Sequence, residues 1–459
     1  MKYENWENPM GVDPVNKLLI RFSVPAIISF LVSALYNIVD QIFIGQGVGM
    51  LGNAATNVSF PMNNLALSIC LLLGAGGAAR YSLSLGERDY DRAAKFAGNV
   101  VSYVVIFALI LVIIIRANLE RLLILFGATE NVLPYARTYA GITSLGLPFL
   151  MFTVGFSAII RGDGAPKFAM VSNLVGAILN TILDPIFIFG FNMGIAGGAW
   201  ATVIGQFASF LVCLYYIWRI KNVNLTKESF TPSLSVLADM AKLGFTPLIN
   251  QISMMLSQIV LNNTLTYYGA MSKYGEDIPL AVVGVITKVN VICFSFIVGI
   301  SQGSQPITGF NYGAKQYDRV KATFKLALKY VMIISVTFFA IFQIFPRQLL
   351  SIFGKGSELF YEFGVAYFRI FLFTTVINGI QPLGSFFFTS IGKAKKGTLV
   401  SLTRQILFLI PLVYLFARLF GIEGVLYAGP IADIAACTLV TYLVRKEMKE
   451  IDALMAAQV

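Results

Sequence analysis

The sequence has no histidine and few charged residues. Only 12% of its 459 residues are charged, whereas a typical soluble domain has about 25%. The absence of histidine excludes histidine-based acid–base catalysis and histidine ligation of a metal. The four cysteines lie singly in apolar segments, which argues against a disulfide framework and against a thiolate zinc site. The usual residues of hydrolases and zinc enzymes are therefore missing, and we expect neither an enzyme nor a protein with a cofactor.

Long apolar segments are abundant instead. Hydrophobic residues make up 57% of the chain, and the mean hydropathy is +0.76. A helix needs about 20 apolar residues to cross a hydrocarbon core about 30 Å thick. The sequence therefore predicts an all-α polytopic membrane protein with twelve transmembrane helices. The predicted spans are 17–44, 53–80, 94–116, 132–160, 166–190, 195–219, 236–268, 279–311, 320–345, 359–390, 397–420 and 423–445.

The two halves of the chain resemble each other. The Tyr-Asp-Arg motif at 90–92 recurs at 317–319, and the GIAGGAWA segment at 194–201 aligns with GIEGVLYA at 421–428. Both matches have the same offset of 227 residues, which indicates an internal repeat of six spans. An even number of spans per repeat gives both copies the same orientation in the membrane. We predict two pseudo-symmetric six-helix lobes around a central cavity: an N-lobe at 1–219, a cytoplasmic linker at 220–235 and a C-lobe at 236–459.

The basic residues predict the orientation. Lys and Arg are concentrated in alternate loops, for example at 88–95 and 393–396. Such loops stay in the cytoplasm, so both termini of this multi-pass protein are expected there. Because the net charge of +11 is spread over these loops, it predicts contact with the lipid bilayer rather than with nucleic acid.

Two aspartates lie deep inside predicted spans. Asp40 is in the first span and Asp184 in the fifth, where a carboxylate costs at least ~2.5–3.5 kcal/mol. Carboxylate, amide and hydroxyl oxygens suit a small cation, and the carboxylates can instead take protons. The neutral candidates on the same or a neighbouring span are Tyr36, Asn37, Asn180, Thr202 and Gln206. A role in packing helices together is the alternative for the neutral side chains. Asp433 is a further deep carboxylate and a second candidate.

Five segments together have the pattern of one transporter family: LYNIVDQIFIG, GERDYDRAAK, RGDGAPK, NTILDPIF and GAKQYDRVKA. They resemble the multidrug and toxic compound extrusion (MATE) family, most closely its MepA-like and DinF-like bacterial branch. The resemblance implies a secondary active transporter that exports cationic, amphipathic compounds in exchange for H⁺ or Na⁺ by alternating access. It also implies a monomer in a bacterial-type plasma (inner) membrane, whose partners are small cationic drugs and the bilayer.

The resemblance also assigns roles to residues. The family's cation site falls on Asp40, Asn180, Asp184 and Thr202, with Tyr36 and Ser157 nearby, and the first four are the Na⁺ ligands if sodium is the coupling ion. Ser157 is the position where some relatives carry an amide. Met255 and Asn378 are the positions where other relatives carry C-lobe carboxylates. With Gln206, these three are the candidate residues of a substrate cavity.

The alternative function is a lipid-linked oligosaccharide flippase of the same wider superfamily. Such proteins often have fourteen spans and arginines in the cavity. The present sequence predicts twelve spans, and no cavity arginine is evident in it.

Overall fold

The computed structural model describes residues 8–352 and 356–458, and these form twenty α-helices without a β-strand. Inside a bilayer a helix satisfies its own backbone groups, which is why apolar runs of this length become helices. The first ten are α1 (Pro9–Val12), α2 (Val15–Val48), α3 (Met50–Cys70), α4 (Gly76–Gly86), α5 (Tyr90–Ala117), α6 (Leu119–Leu125), α7 (Leu133–Thr143), α8 (Leu147–Gly162), α9 (Pro166–Pro185) and α10 (Ile195–Ile217). The remaining ten are α11 (Leu234–Ala270), α12 (Asp277–Gly313), α13 (Tyr317–Ile344), α14 (Pro346–Ser351), α15 (Glu358–Ile370), α16 (Thr375–Asn378), α17 (Ile380–Ser390), α18 (Ala394–Leu402), α19 (Ile410–Phe420) and α20 (Ile422–Ala456).

Several spans contain irregular turns. π-helical turns at Leu71–Ala75, Ile186–Gly190 and Thr403–Leu409 interrupt or extend the second, fifth and eleventh spans. A short 3₁₀ helix occupies Lys227–Phe230. π-helical turns occur frequently at functional sites.

The predicted twelve-helix architecture is confirmed. In the described part of the chain, nine helical stretches are long and apolar enough to cross a membrane. Two bent pairs bring the number to eleven: α7 with α8 at 52°, and α15 with α16 and α17 at 54°. The remaining predicted span is α11, which has 37 residues and is therefore about 55 Å long. Its polar side chains, such as Asn250 and Gln251, explain its lower hydropathy.

The helices form two compact units. Unit 1 contains residues 8–13 and Ile28–Phe245, and unit 2 contains Pro14–Ile27 and the described residues from Thr246 onward. The first turns of α2 therefore belong to unit 2, and the first turns of α11 belong to unit 1. The sequence places the lobe boundaries at 219 and 235, and that division stays a prediction.

The first turns of α11 pack closely within unit 1, and the first turns of α2 pack closely within unit 2. In unit 1, a Cβ on Gly76 would lie 2.1 Å from the Met240 carbonyl oxygen. In unit 2, a Cβ on Gly303 would lie 2.7 Å from the Ser23 Cα. Gly76 and Gly303 are related by the repeat offset of 227 residues, so the two copies use a glycine at the same position for the same contact.

The segment 220–235 lies against unit 1. Asn99 on α5 donates to the Ser229 and Thr231 carbonyl oxygens at 3.1 and 3.2 Å. The Ser102 hydroxyl donates to the Phe230 carbonyl oxygen at 2.6 Å. These bonds hold the polar segment on the end of α5.

A buried carboxylate also contacts this segment. Asp163, directly after α8, is 2% exposed and accepts the hydroxyls of Tyr81 and Tyr216, each at 2.7 Å. It also accepts the backbone N–H groups of Lys221 and Asn222 at 2.9 and 3.1 Å. Asp163 thus joins α4 and the end of α10 to the start of the 220–235 segment.

Candidate functional site

Two carboxyl groups meet inside unit 1. Asp40 on α2 and Asp184 on α9 are 9% and 0% exposed, and their carboxyl groups lie within hydrogen-bonding distance of each other. Neither of them takes part in an ion pair with any described Lys or Arg. Two adjacent anions repel each other strongly in a medium of low dielectric constant, and a proton or a cation bound between them would remove this repulsion.

The two aspartates and the neighbouring Asn180 have oxygen atoms without hydrogen-bond partners. One carboxylate oxygen of each aspartate and the amide oxygen of Asn180 are buried without a hydrogen-bond partner among the described residues. Buried polar atoms are rarely left unpaired, and oxygens of these types are ligands for a small hard cation. The arrangement can hold a cation or receive a proton.

Asn180 and Thr202, which the sequence analysis also named, belong to the same cluster of side chains. The Asn180 Nδ2 donates to Asp184 Oδ1 and to the Thr202 hydroxyl, each at 3.3 Å. This contact requires α9 and α10 to lie close together, and a Cβ on Gly205 would be only 2.7 Å from the Gly176 carbonyl oxygen. Glycine on both helices therefore allows the Asn180 amide and the Thr202 hydroxyl to come within hydrogen-bonding distance.

The local sequence makes the end of α9 irregular next to the site. Pro185 follows Asp184 directly and lacks the backbone N–H that would continue the helical pattern. The chain then passes into the π-helical turn Ile186–Gly190. The carboxylate therefore lies at a change in helical geometry, a common setting for functional side chains.

Tyr139 is a further neighbour of the cluster and was not among the predicted residues. It lies on α7, is 7% exposed, and its side chain is close to Thr202, Asp40 and Tyr36. Tyrosine is common in this chain, and Tyr139 is far from the other members in sequence. No local signal therefore distinguishes it, because only the tertiary packing of α7 brings it to the carboxylates.

The structure separates two of the candidates on α2. Tyr36 is half-buried and lies near Asp40 and Asp184. Asn37 is exposed, and its Nδ2 donates to the Ser33 carbonyl oxygen at 2.7 Å. No hydrogen bond between Asn37 and either aspartate occurs in the described part of unit 1, so its place in the cation site stays a prediction.

The four candidate cavity residues are divided between the two units. In unit 1, the Ser157 hydroxyl lies 3.7 Å from the Cys213 sulfur. The Gln206 amide oxygen lies against Gly146, at the bend between α7 and α8. In unit 2, Met255 is 39% exposed and Asn378 is 6% exposed with an unpartnered amide oxygen. Their role in binding a substrate stays a prediction.

Unit 2 contains a buried ion pair that the sequence analysis did not anticipate. Asp433, the second candidate, is paired with Arg404 of the eleventh span at 2.5 Å. The sequence signal was available, since an arginine inside a predicted apolar span is unusual.

A membrane protein built from two six-span repeats, with unpaired carboxylates buried inside one of them, has the architecture of a transporter. The MatE family model matches this chain twice, at residues 25–186 and 249–415. The two matches confirm the internal repeat and together cover most of the chain. The chain belongs to the MATE family of transporters.

Known relatives agree with this assignment. The multidrug export protein MepA of Staphylococcus saprophyticus is 27% identical over 451 residues, which cover 95% of each chain. MepA of Staphylococcus aureus is 26% identical over 443 residues, again 95% of each chain. The solved structure of a ligand complex of the MATE multidrug transporter DinF-BH has 35% identity and a TM-score of 0.88, covering 97% of this chain and 98% of that one. The expected branch of the family is thereby confirmed.

Proposed function

We propose that this protein exports cationic, amphipathic compounds in exchange for H⁺ or Na⁺ by alternating access. The coupling ion binds at the cluster of Asp40, Asp184, Asn180 and Thr202, with Tyr139 completing it. In this proposal the protein works as a monomer in a bacterial plasma membrane, with both termini in the cytoplasm.

The observation that carries the proposal is the Asp40–Asp184 pair. The two carboxyl groups are adjacent, buried and without a basic partner among the described residues. Such a pair binds a proton or a metal cation more tightly than either carboxylate would alone, because the ion removes the repulsion. A transporter with this pair has a site that changes its charge when it exchanges ions.

Coupling requires that the ion and the exported compound disfavour each other's binding. Linkage is reciprocal, so an ion that lowers the affinity for the drug is itself released more easily when the drug is bound. Asp40 and Asp184 lie on different spans, α2 and α9. Binding of an ion to both carboxyl groups therefore draws two helices together, and its release allows them to separate.

The relatives support the substrate class. The MepA proteins are named multidrug export proteins, and DinF-BH is named a multidrug transporter. The same class of compound fits a family member of this branch.

The test uses the purified protein in liposomes loaded for efflux or uptake of ethidium. An imposed pH gradient and an imposed sodium gradient are applied separately, to the wild type and to Asp40→Asn. Transport driven by one of the gradients and lost in Asp40→Asn supports the proposal and identifies the ion. Transport of a lipid-linked oligosaccharide, with no ethidium movement under either gradient, would replace it with the flippase function.

A further inference from the structure

Asp433 is hydrogen-bonded to two irregular segments of unit 2. It lies on α20 and is 3% exposed. Its Oδ1 accepts a hydrogen bond from Arg404 Nε at 2.5 Å, and its Oδ2 accepts one from the Thr374 hydroxyl at 2.6 Å. Arg404 belongs to the π-helical turn Thr403–Leu409, and Thr374 lies at the 54° bend after α15. Both carboxylate oxygens are therefore satisfied.

The first repeat has a different arrangement at the corresponding positions. The offset of 227 residues aligns Asp433 with Gln206 and Arg404 with Ala177. Gln206 also lies at the bend of the fourth span, where a Cβ on Gly146 would be 2.1 Å from its amide oxygen. The same repeat position thus contacts the bent span in each unit. In unit 1 it is the neutral amide of Gln206, and in unit 2 it is the Asp433 carboxylate, which is paired with Arg404.

The ion pair is isolated from other charges. The Arg404 side chain is 13% exposed and that of Asp433 is 1% exposed. The other titratable neighbours are Tyr367, close to Arg404, and Cys437, one turn along α20 from Asp433. In the described part of unit 2, Arg404 is the only basic residue paired with Asp433. A buried pair of this kind is costly to separate, since either charge alone would be uncompensated.

We propose that the Arg404 guanidinium stays paired with Asp433 throughout transport. It takes the place of an exchangeable cation in unit 2 and keeps Asp433 ionised. The inference rests on the proposed function, because it restricts ion exchange to the Asp40–Asp184 site of unit 1. Arg404 and Asp433 act as positioning residues: they hold the bend at Thr374 fixed and prevent Asp433 from binding an exchangeable ion. Among the described residues, Asp40 and Asp184 of unit 1 have no basic partner, whereas Asp433 of unit 2 is paired with Arg404.

The direct test is infrared difference spectroscopy of the purified protein, over the pH range in which it transports. Wild type is compared with Asp433→Asn, or with Arg404→Gln/Asp433→Asn if the single variant does not elute as a monodisperse peak. The expected difference spectrum contains an ionised carboxylate band from Asp433 at every pH. A protonated carboxyl band from Asp433 within that range would overturn the proposal. This readout needs no transport, so its failure is distinct from a failure of the proposed function.

A transport measurement tests the consequence. The number of coupling ions exchanged per ethidium is obtained from the gradients at which net flux stops. Arg404→Gln leaves Asp433 without its cation, so this variant is expected to exchange an additional ion per ethidium. Arg404→Lys keeps the positive charge and is expected to retain the wild-type ratio, as is Arg404→Gln/Asp433→Asn. Equal ratios in Arg404→Gln and the double variant would contradict the role of Arg404.

Discussion

Asp40 and Asp184 lie side by side in unit 1, although they come from the first and fifth spans. Two buried carboxyl groups without a basic partner cannot both remain anionic at low cost. The relationship between these two residues is the physical basis of the proposed ion coupling.

Asp184→Asn is expected to abolish gradient-driven ethidium transport while the protein still inserts and purifies. The amide removes one of the two charges that hold the ion. When two ligands are coupled, one typically changes the affinity for the other about 5–150-fold, and the variant is expected to lose this effect. The measurement is the initial rate of transport in liposomes at equal protein content. Asp91→Asn, an exposed acid in the first turn of α5, is the matched control, and equal loss in both variants would argue against a specific role for Asp184.

Tyr139→Phe is expected to weaken the coupling ion more than the drug. The variant removes a hydroxyl that lies close to Thr202 and Asp40, and the loss of one polar contact of hydrogen-bond strength costs about 0.5–1.5 kcal/mol, or roughly two- to tenfold in affinity. The ion concentration that gives half-maximal transport is therefore expected to rise by that factor. Tyr103→Phe is the control, since Tyr103 is a buried tyrosine of α5. An unchanged ion dependence in Tyr139→Phe would remove Tyr139 from the site.

Thr202→Val tests the hydroxyl of the cluster itself. It deletes the acceptor of the 3.3 Å bond from Asn180 and replaces it with a methyl group of similar size. We expect a lower affinity for the coupling ion, and a larger effect if that ion is Na⁺, because a metal ion uses the hydroxyl oxygen as a ligand. Thr181→Val is the control, because the Thr181 hydroxyl donates only to the Ala177 carbonyl oxygen of its own helix. A stronger effect in the control would contradict the assignment.

Gly76→Ala is expected to destabilise the fold by about 1–3 kcal/mol, the usual cost of an overpacked contact. The added Cβ would lie 2.1 Å from the Met240 carbonyl oxygen, so α11 must move away from the second span. Gly284→Ala is the control, because a Cβ there meets nothing within 4 Å. Thermal unfolding in detergent is followed by gel filtration. If both variants melt at the wild-type temperature, the close packing of the first turns of α11 in unit 1 is wrong.

Much of the fold could be predicted because membrane spans are long and apolar. The repeat was detectable because short motifs such as Tyr90-Asp91-Arg92 recur in the second half. The membership of the first turns of α2 in unit 2 could not be predicted, because it depends on which helix each end contacts. Hydropathy also does not report that α11 is one continuous helix of 37 residues.

The site was predictable only in part. Asp40, Asp184 and Asn180 were recognisable because polar and ionisable side chains are costly inside a span. Tyr139 was not, since an aromatic residue at a helix position has no unusual local pattern. Arg404 was noticeable as an arginine inside a span, but its pairing with Asp433 was not predictable, because the pair joins two spans that the sequence treats independently. Long-range side-chain contacts are the part that required the structure.

The central claim is that the Asp40–Asp184 pair binds the coupling ion. The most direct measurement is ion binding to purified protein, by isothermal titration with Na⁺ and by proton uptake on a change of pH, in the wild type and in Asp40→Asn/Asp184→Asn. We expect the wild type to bind one of the two ions and the double variant to lose this binding while remaining monodisperse. Ion binding of equal size in the two proteins would show that the pair is not the ion site.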